Sequence, residues 1–379
     1  MTRVAVVGGG QLARMMAPAA TSMGVTLRVL VESQEAAAAL SSHEIVVGLP
    51  GDEDAVRALF SDPRPDVVTW EHEHIPDSLF ALAEAAGVPA RPGRDALLFA
   101  RDKIAMRGRL DALGLPMPAW RPVSTEAEVE EFLAVHGGVG VLKTSRGGYD
   151  GKGVRIVRNP ADADDWLAAA ADGGPPLLIE EKVAFSREVA MQVARRPSGE
   201  IRAWPLVESI QSDGVCAEVI APAPGATRAL QAEAERIARV VAEQLDVTGV
   251  LAVEMFEVGG MLLINELAMR PHNSGHWGIE GSVTSQFEQH LRAVLDWPLG
   301  DAAPLAPVTV MANILGGDRV DLSSVWPQVA DAGAKVHLYG KGVRPGRKVG
   351  HVTVMGDHVD DVRGRATAVA TLVREAEKS

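Results

Sequence analysis

Cysteine is nearly absent from this chain: among 379 residues there is one, Cys216. An internal disulfide and a cysteine-based metal cluster are thereby excluded. Cys216 lies in the apolar stretch 215–220, which points to packing rather than to nucleophilic chemistry. Long hydrophobic runs are also missing, and none approaches the roughly 18 residues of a membrane span. The opening residues, Met1-Thr2-Arg3-Val4-Ala5-Val6-Val7, enter a strand-like run without the apolar segment and cleavage site of a secretion signal. A cytoplasmic location is expected. Net positive charge is lacking too: 37 Lys and Arg stand against 50 Asp and Glu, for a formal charge of −13. That balance argues against nucleic acid or an anionic membrane as partner. It leaves room for a local basic pocket that takes a phosphorylated small molecule.

What is present divides into three regions, as the length requires, since one core rarely serves so long a chain. Residues 1–99 alternate short β-branched runs at 3–7, 26–31 and 66–71 with Ala-rich helical segments. That pattern predicts a parallel, doubly wound α/β unit. Residues 100–300 carry strand-like runs at 139–144, 154–158, 177–181, 188–196 and 203–208. A helix follows, with Leu230, Ala234, Ile237, Val241 and Leu245 at helical spacing. Two further strands at 249–258 and 261–269 are joined by Gly259-Gly260, so this region reads as α+β with mainly antiparallel sheet. After a link containing Pro298, Pro304 and Pro307, residues 301–379 read as a small β-rich domain with strands near 308–315, 335–339 and 348–355 and a final helix.

The first motif is Gly8-Gly9-Gly10-Gln11-Leu12-Ala13, a G-x-G-x-x-A match between strand and helix, with Glu32 ending the next strand. Its physical content is narrower than a dinucleotide site. Glycines let a backbone approach a ligand, and a helix N-terminus favours any anion. The motif alone suits an NAD-dependent dehydrogenase, another anion-binding α/β domain, or plain structure. The dehydrogenase reading leaves everything from Lys103 to His276 unexplained.

A second glycine-rich stretch, Lys143-Thr144-Ser145-Arg146-Gly147-Gly148-Tyr149-Asp150-Gly151-Lys152-Gly153, sits between two strand-like runs. Exposed backbone N–H groups and lysines at both ends suit a loop that closes over a polyphosphate. It is not a Walker A loop, because the spacing fails and Gly153 replaces the hydroxyl. An ordinary turn with two solvated lysines is the plainer alternative. Glu254 and Glu266 lie in apolar strands, where a carboxylate is costly unless paired or bound to metal. A three-residue turn centred on Gly260 would set Glu254 opposite Glu266, and a two-residue turn would set it opposite Asn265. Such a hard-oxygen set suits Mg²⁺, and salt-bridged structural acids are the alternative. Arg270-Pro271-His272-Asn273-Ser274-Gly275-His276-Trp277 follows directly, with Arg270 placed to stabilise charge on a transferring phosphoryl group. Backbone at the strand end Glu180-Glu181-Lys182-Val183 could read an adenine edge, with Glu188 near a ribose. Glu71 and Glu73 point to the crevice beyond the third strand. Their alternation with His72 and His74 fits substrate contact or solvation better than metal.

Together these residues resemble the ATP-grasp enzymes and, more closely, the family of N5-carboxyaminoimidazole ribonucleotide synthases. The likeness covers nearly the whole chain, from Gly8-Gly9-Gly10-Gln11-Leu12 through the Gly147–Gly153 loop and Asn265-Glu266-Leu267-Ala268 to Tyr339-Gly340-Lys341 and Arg344-Pro345-Gly346-Arg347-Lys348-Val349-Gly350-His351. It implies an ATP-grasp fold, with a mobile lid at about 120–184. It implies ATP as co-substrate, two Mg²⁺, and a homodimer. By resemblance, Lys103 and Lys143 contact phosphates, and Gly148, Tyr149, Asp150, Gly151, Lys152, Gly153 and Val154 cover the nucleotide. Glu180, Glu181, Lys182 and Val183 would form the adenine hinge, Glu188 would hold the ribose, and Gln211 would approach the nucleotide. Glu254 and Glu266, with Asn265, would bind the metal. Gly10, Gln11, Glu71, Glu73, Tyr149, Asp150, Lys152, His272, Asn273, Ser274, Lys341, Arg347 and Lys348 would face aminoimidazole ribonucleotide. Asp150, Lys152 and Arg270 would carry the chemistry. Three positions depart from the family pattern: Lys103 where arginine is common, Met269 where proline is, and Gln211 where histidine is. The expected reaction is bicarbonate- and ATP-dependent carboxylation through carboxyphosphate. A formate-dependent glycinamide ribonucleotide transformylase is the neighbouring alternative, against which the Tyr149-Asp150 loop and the 341–351 stretch argue.

Overall fold

A computed structural model describes residues 1–147, 153–212, 214–316, 323–342 and 346–375. Its N-terminal strands, β1 (Arg3–Val7), β2 (Thr26–Val31), β3 (Glu44–Val47) and β4 (Val67–Trp70), form a parallel sheet in the order β3-β2-β1-β4. Strands β1, β2 and β4 are buried almost end to end, because helices cover both faces and the strands are mostly apolar. Only the half-exposed edge strand β3 lacks that signature, and the sequence reading passes over it.

Strands β5 (Trp120–Val123), β6 (Gly140–Thr144), β7 (Val154–Val157) and β8 (Leu177–Glu181) make a separate antiparallel sheet, ordered β5-β8-β6-β7. The helix Glu126–Val135 opens on a capping box, Thr125 with Glu128, and lays Val129, Phe132 and Leu133 on that sheet.

The remaining strands are β9 (Arg187–Arg195), β10 (Ile201–Ala203), β11 (Val207–Ser212), β12 (Val215–Ala221), β13 (Gly249–Val258), β14 (Met261–Ala268), β15 (Val308–Leu315), β16 (Lys335–Leu338) and β17 (Lys348–Gly356). They build one nine-stranded sheet, β14-β13-β9-β11-β12-β15-β17-β16, with β10 on β9. The expected strand at 203–208 divides in two. Trp204 still donates its backbone N–H to Gln192 O on β9 at 3.1 Å, and Pro205, with no N–H to give, interrupts the ladder before β11. Pairing of β12 with β15 runs the sheet across residue 300, so the C-terminal region extends the central sheet. The helix Val359–Arg374 covers its far end through Val362, Ala366 and Val369.

The N-terminal sheet and the central sheet are pinned together by His290, on the helix Gln286–Val294. Its Nδ1 accepts from the backbone N–H of Val250 at 3.1 Å, so Nε2 carries the proton and donates to Thr69 Oγ1 on β4 at 2.8 Å. The ring lies so close to Gly249 that a Cβ there would stand 2.8 Å from it. Burial pushes the imidazole down to about 3, well below the usual histidine value. The folded state therefore refuses a proton that the unfolded chain binds below about pH 6.5, and stability falls as pH drops from there toward 3. His290→Gln, neutral at every pH, should remove about 1 kcal/mol of the stability lost between pH 7.5 and 5.5. Urea midpoints of both proteins at the two pH values measure it.

Candidate active site

The hairpin of β13 and β14 sets the first pair of functional side chains. Its turn has two residues, Gly259 and Gly260, with Val258 opposite Met261. Continued regularly, that register would place Asn265 opposite Glu254. Met255 instead pairs with Ile264 and Glu254 with Glu266, so Asn265 is the extra residue of a β-bulge. The observed hairpin thus joins the two-residue turn to the pairing expected of a three-residue one. The bulge also re-aims the strand. Successive strand residues ordinarily point to opposite faces, yet Asn265 Oδ1 accepts from Lys143 Nζ at 3.4 Å and Glu266 Oε1 accepts from Lys103 Nζ at 3.2 Å.

The two lysines come from different elements. Lys103 begins the helix Lys103–Ala112, which Asp102 caps, and its backbone N–H donates to Ser145 O at 2.8 Å. Lys143 lies near the end of β6 and donates to Glu180 Oε2 at 2.7 Å. Glu180 takes a second bond, from Arg107 Nε at 2.8 Å, and Arg107 also donates to the carbonyls of Ile264 and Asn265 at 2.8 and 2.9 Å. Burial pushes the Glu180 carboxyl up, but the two cations outweigh it and hold it below its ordinary value. Burial likewise lowers Lys143, against the pull of Glu180. Glu180 is therefore the fixed anion of the site, its carboxylate taken up by Arg107 and Lys143. The sequence reading omits Arg107; its place four residues beyond Lys103, on the same helix face, was the available signal.

Glu254 is the group whose state asks for a partner. Burial, then the neighbouring carboxylates Glu266 and Glu188, push it up to about 8. Burial alone raises Glu188, which lies on β9 opposite Phe256 and Ser209. Two opposed acids plus the amide oxygen of Asn265 form a hard-oxygen set that fits a divalent cation such as Mg²⁺. No group of three or more His, Cys, Asp or Glu suited to a metal occurs among the described residues, so such an ion would complete its shell from substrate or water.

Beyond Glu266 the chain turns into the basic run. Arg270 Nε donates to Glu73 Oε2 at 3.1 Å, joining β14 to the end of β4; burial raises Glu73, and Arg270 more than offsets it. Gln286 clamps the following segment. Its Oε1 accepts from His272 N at 2.8 Å, and its Nε2 donates to His272 O and to His276 Nδ1, both at 2.8 Å. Burial and the charges of Arg270 and Lys348 push His272 down to about 3, so the ring is neutral; its Nδ1 meets Ser274 Oγ at 2.9 Å. Asn273 is buried with both amide atoms lacking a conventional partner among the described residues, beside the weakly polar Cys216 thiol.

Gly10 and Gln11 lie across the crevice. Glu71 was expected to face substrate, but its two carboxylate oxygens accept from the backbone N–H groups of Gly10 and Leu12 (2.8 Å), at the N-terminus of the helix Gln11–Ser22. Side chains at Gly8 or Gly10 would collide with that carboxylate. The glycine motif thus carries the protein's own carboxyl group where a dinucleotide phosphate would sit. Burial outweighs these hydrogen bonds and raises Glu71 above its usual value. Gln11 Oε1 accepts from Lys341 Nζ at 2.7 Å, Arg347 donates to Gly342 O at 3.0 Å, and Lys348 opens β17. Glu181 ends β8, and Lys182 and Val183 follow it toward Glu188. Gly153 accepts from Thr144 N at 3.0 Å just before β7, Val154 starts β7 opposite Lys143, and Gln211 donates to Ser209 on β11. Gly148, Tyr149, Asp150, Gly151 and Lys152 lie outside the described residues.

Removing Glu180 would leave Arg107 and Lys143 buried without an anion. Glu180→Gln should therefore cost about 3 kcal/mol or more of stability. Thermal denaturation checks this, and an unchanged midpoint would show that the two cations find other partners.

Three family models match successive parts of the chain: a ribonucleotide synthetase preATP-grasp domain at residues 1–101, an ATP-grasp domain at 108–287, and a phosphoribosylaminoimidazole carboxylase C-terminal domain at 309–365. The N5-carboxyaminoimidazole ribonucleotide synthase of Mycobacterium tuberculosis is 48% identical, over 97% of this chain and 86% of its own. The crystal structure of N5-carboxyaminoimidazole ribonucleotide synthetase from Thermus thermophilus superposes with a TM-score of 0.88 at 40% identity, covering 99% of this chain and 100% of that one. An Aspergillus clavatus N5-carboxyaminoimidazole synthase, solved with ADP and 5-aminoimidazole ribonucleotide, gives 0.85 at 31% identity, with 98% of each chain covered. By sequence, domain order and fold, this chain belongs to the N5-carboxyaminoimidazole ribonucleotide synthase family of ATP-grasp enzymes.

Proposed function

We infer that the chain is an ATP-dependent carbon–nitrogen ligase that carboxylates 5-aminoimidazole ribonucleotide with bicarbonate, a step of purine biosynthesis. The observation that carries this reading at the site is the convergence of Glu254, Asn265 and Glu266 with Lys103 and Lys143, next to the clamped His272–Ser274 segment.

Bicarbonate is a poor electrophile because its leaving group would be hydroxide. Transfer of the γ-phosphoryl group to it gives carboxyphosphate, and the exocyclic amine of the ribonucleotide then takes the carboxylate to form a carbamate, releasing phosphate. Lys103 and Lys143 bind the phosphates, and Lys103 exchanges its present contact with Glu266 for them. Arg270, held by Glu73, stabilises charge on the transferred group. Glu254, Glu266 and Asn265 would hold Mg²⁺, which when bound would supply neutralisation of phosphate charge. Neutral His272, the amide of Asn273, Ser274, Lys341, Arg347 and Lys348 receive the ribonucleotide. Glu73 holds Arg270 at the edge of this pocket. Backbone at Glu181–Val183 reads the adenine, Glu188 takes the ribose, and Gln211 borders the nucleotide. The separate sheet of β5 to β8 supports the reading of residues 120–184 as a lid over the site. No helix among the described residues is long and apolar enough to cross a membrane, and the charge of −13 with one cysteine supports a cytoplasmic location. A homodimer is the assembly the family resemblance suggests.

Phosphate release from Mg·ATP and bicarbonate, with and without aminoimidazole ribonucleotide, tests the assignment. Strong stimulation with one ADP per carbamate is expected; indifference to the ribonucleotide would move the substrate to another amine. Glu266→Gln should abolish ATP turnover in a protein that still folds, and near-normal ATPase would remove Glu266 from the metal set. Lys348→Ala should raise the KM for the ribonucleotide about tenfold, the size of a lost charge-assisted hydrogen bond, and spare that for ATP.

A further inference from the structure

Four rings stand in a column between the last strands and the 272–276 segment. His337 stacks on His351 with centroids 4.5 Å apart, His351 on His276 at 5.0 Å, and His276 on Phe287 at 5.8 Å, with interplanar angles of 17°, 29° and 28°. Tyr339 stands against this column. Its hydroxyl bonds Nδ1 of His351 at 2.8 Å, and its ring meets His276 edge-on at 6.3 Å. Tyr339, His276 and His351 have no exposed surface. At the outer end, His337 Nε2 meets Glu280 Oε1 at 2.7 Å. Apolar rings would stack as well without the cost of burying polar atoms. What the polar rings add is direction.

Each side of the column belongs to a segment that carries functional side chains. Tyr339 comes two residues before Lys341, whose ammonium lies 5.8 Å from the Tyr339 ring centroid and bonds Gln11. His351 comes three residues after Lys348 on the same strand, β17. His276 closes the run that begins at His272, and Gln286 holds both through one amide nitrogen. The column therefore links the segments that carry Lys341 and Lys348 to the 272–276 segment.

We propose that Tyr339 and His351 are positioning residues for the ribonucleotide subsite, setting Lys341 and Lys348 at a fixed distance from His272 and Asn273. The proposal rests on the reading that those four side chains receive the ribonucleotide. Tyr339 is the joint of the device. One face carries Lys341, the edge meets His276, and the hydroxyl fixes His351.

Tyr339→Phe deletes the hydroxyl and keeps the ring, and His351→Phe keeps the stack and deletes the acceptor. Each should raise the ribonucleotide KM about fivefold, the size of one net hydrogen bond. The KM for ATP and the ATPase rate without ribonucleotide should stay within about twofold. Combined, the two changes should cost little more than either alone, because they break the same bond. His351→Asn, which offers an acceptor near the position of Nδ1, should recover most of the loss. An unchanged ribonucleotide KM in soluble Tyr339→Phe overturns the proposal, as does a parallel rise in both KM values, which marks a merely structural role. If either phenylalanine variant fails to fold, His351→Asn decides: a ribonucleotide KM as poor as that of His351→Ala sinks the idea. Absence of any ribonucleotide stimulation in the unsubstituted protein would instead remove the functional reading beneath it.

Discussion

The site depends on one buried carboxylate held between two cations. Glu180 receives Arg107 on one oxygen and Lys143 on the other, and Arg107 reaches on to two carbonyls of β14. Three bodies of structure meet in those bonds: the sheet of β5 to β8, the helix that starts at Lys103, and the hairpin that carries the acids. An ion cluster so deeply buried is a poor source of stability compared with apolar packing. It fixes relative position instead. Lys143 is neither free to drift nor fully neutralised, because the one carboxylate is shared.

The bulge at Asn265 has the same effect at the level of a strand. Without it, Asn265 and Glu266 would look to opposite faces, and one of the two lysines would lose its partner. An extra residue in a ladder is invisible in the pattern of apolar side chains, so the sequence allowed two registers and could not join them. The acids themselves were legible, since glutamates amid Val, Leu and Ile need a reason to be there. Long buried strands such as β2 and β13 were equally plain, whereas β3 is too short and too exposed to show a period. Gln286 went unread because nothing local marks it, and Arg107 carried only its helical spacing from Lys103. Their roles come from partners 14 and 73 residues away.

Glu71 shows how a motif can be read correctly as geometry and still mislead as chemistry. The glycines do permit close approach, and the helix N-terminus does bind an anion. The anion is the protein's own. It is Glu71, just past the end of the neighbouring strand and sixty-one residues from Gly10.

The central sheet passes from β12 to β15 without a break. Seen from the genome, this makes residues 301–379 a poor unit of exchange. A chain cut near residue 300 would leave a raw edge on each fragment, the long strand β15 on one and β12 on the other, both ready to pair with foreign backbone. The sheet of β5 to β8 has no such seam, because every strand in it lies within one stretch of sequence. Insertions, swaps and recombination between relatives should therefore be tolerated at the boundaries of that small sheet. The C-terminal region is inherited together with the strands it completes.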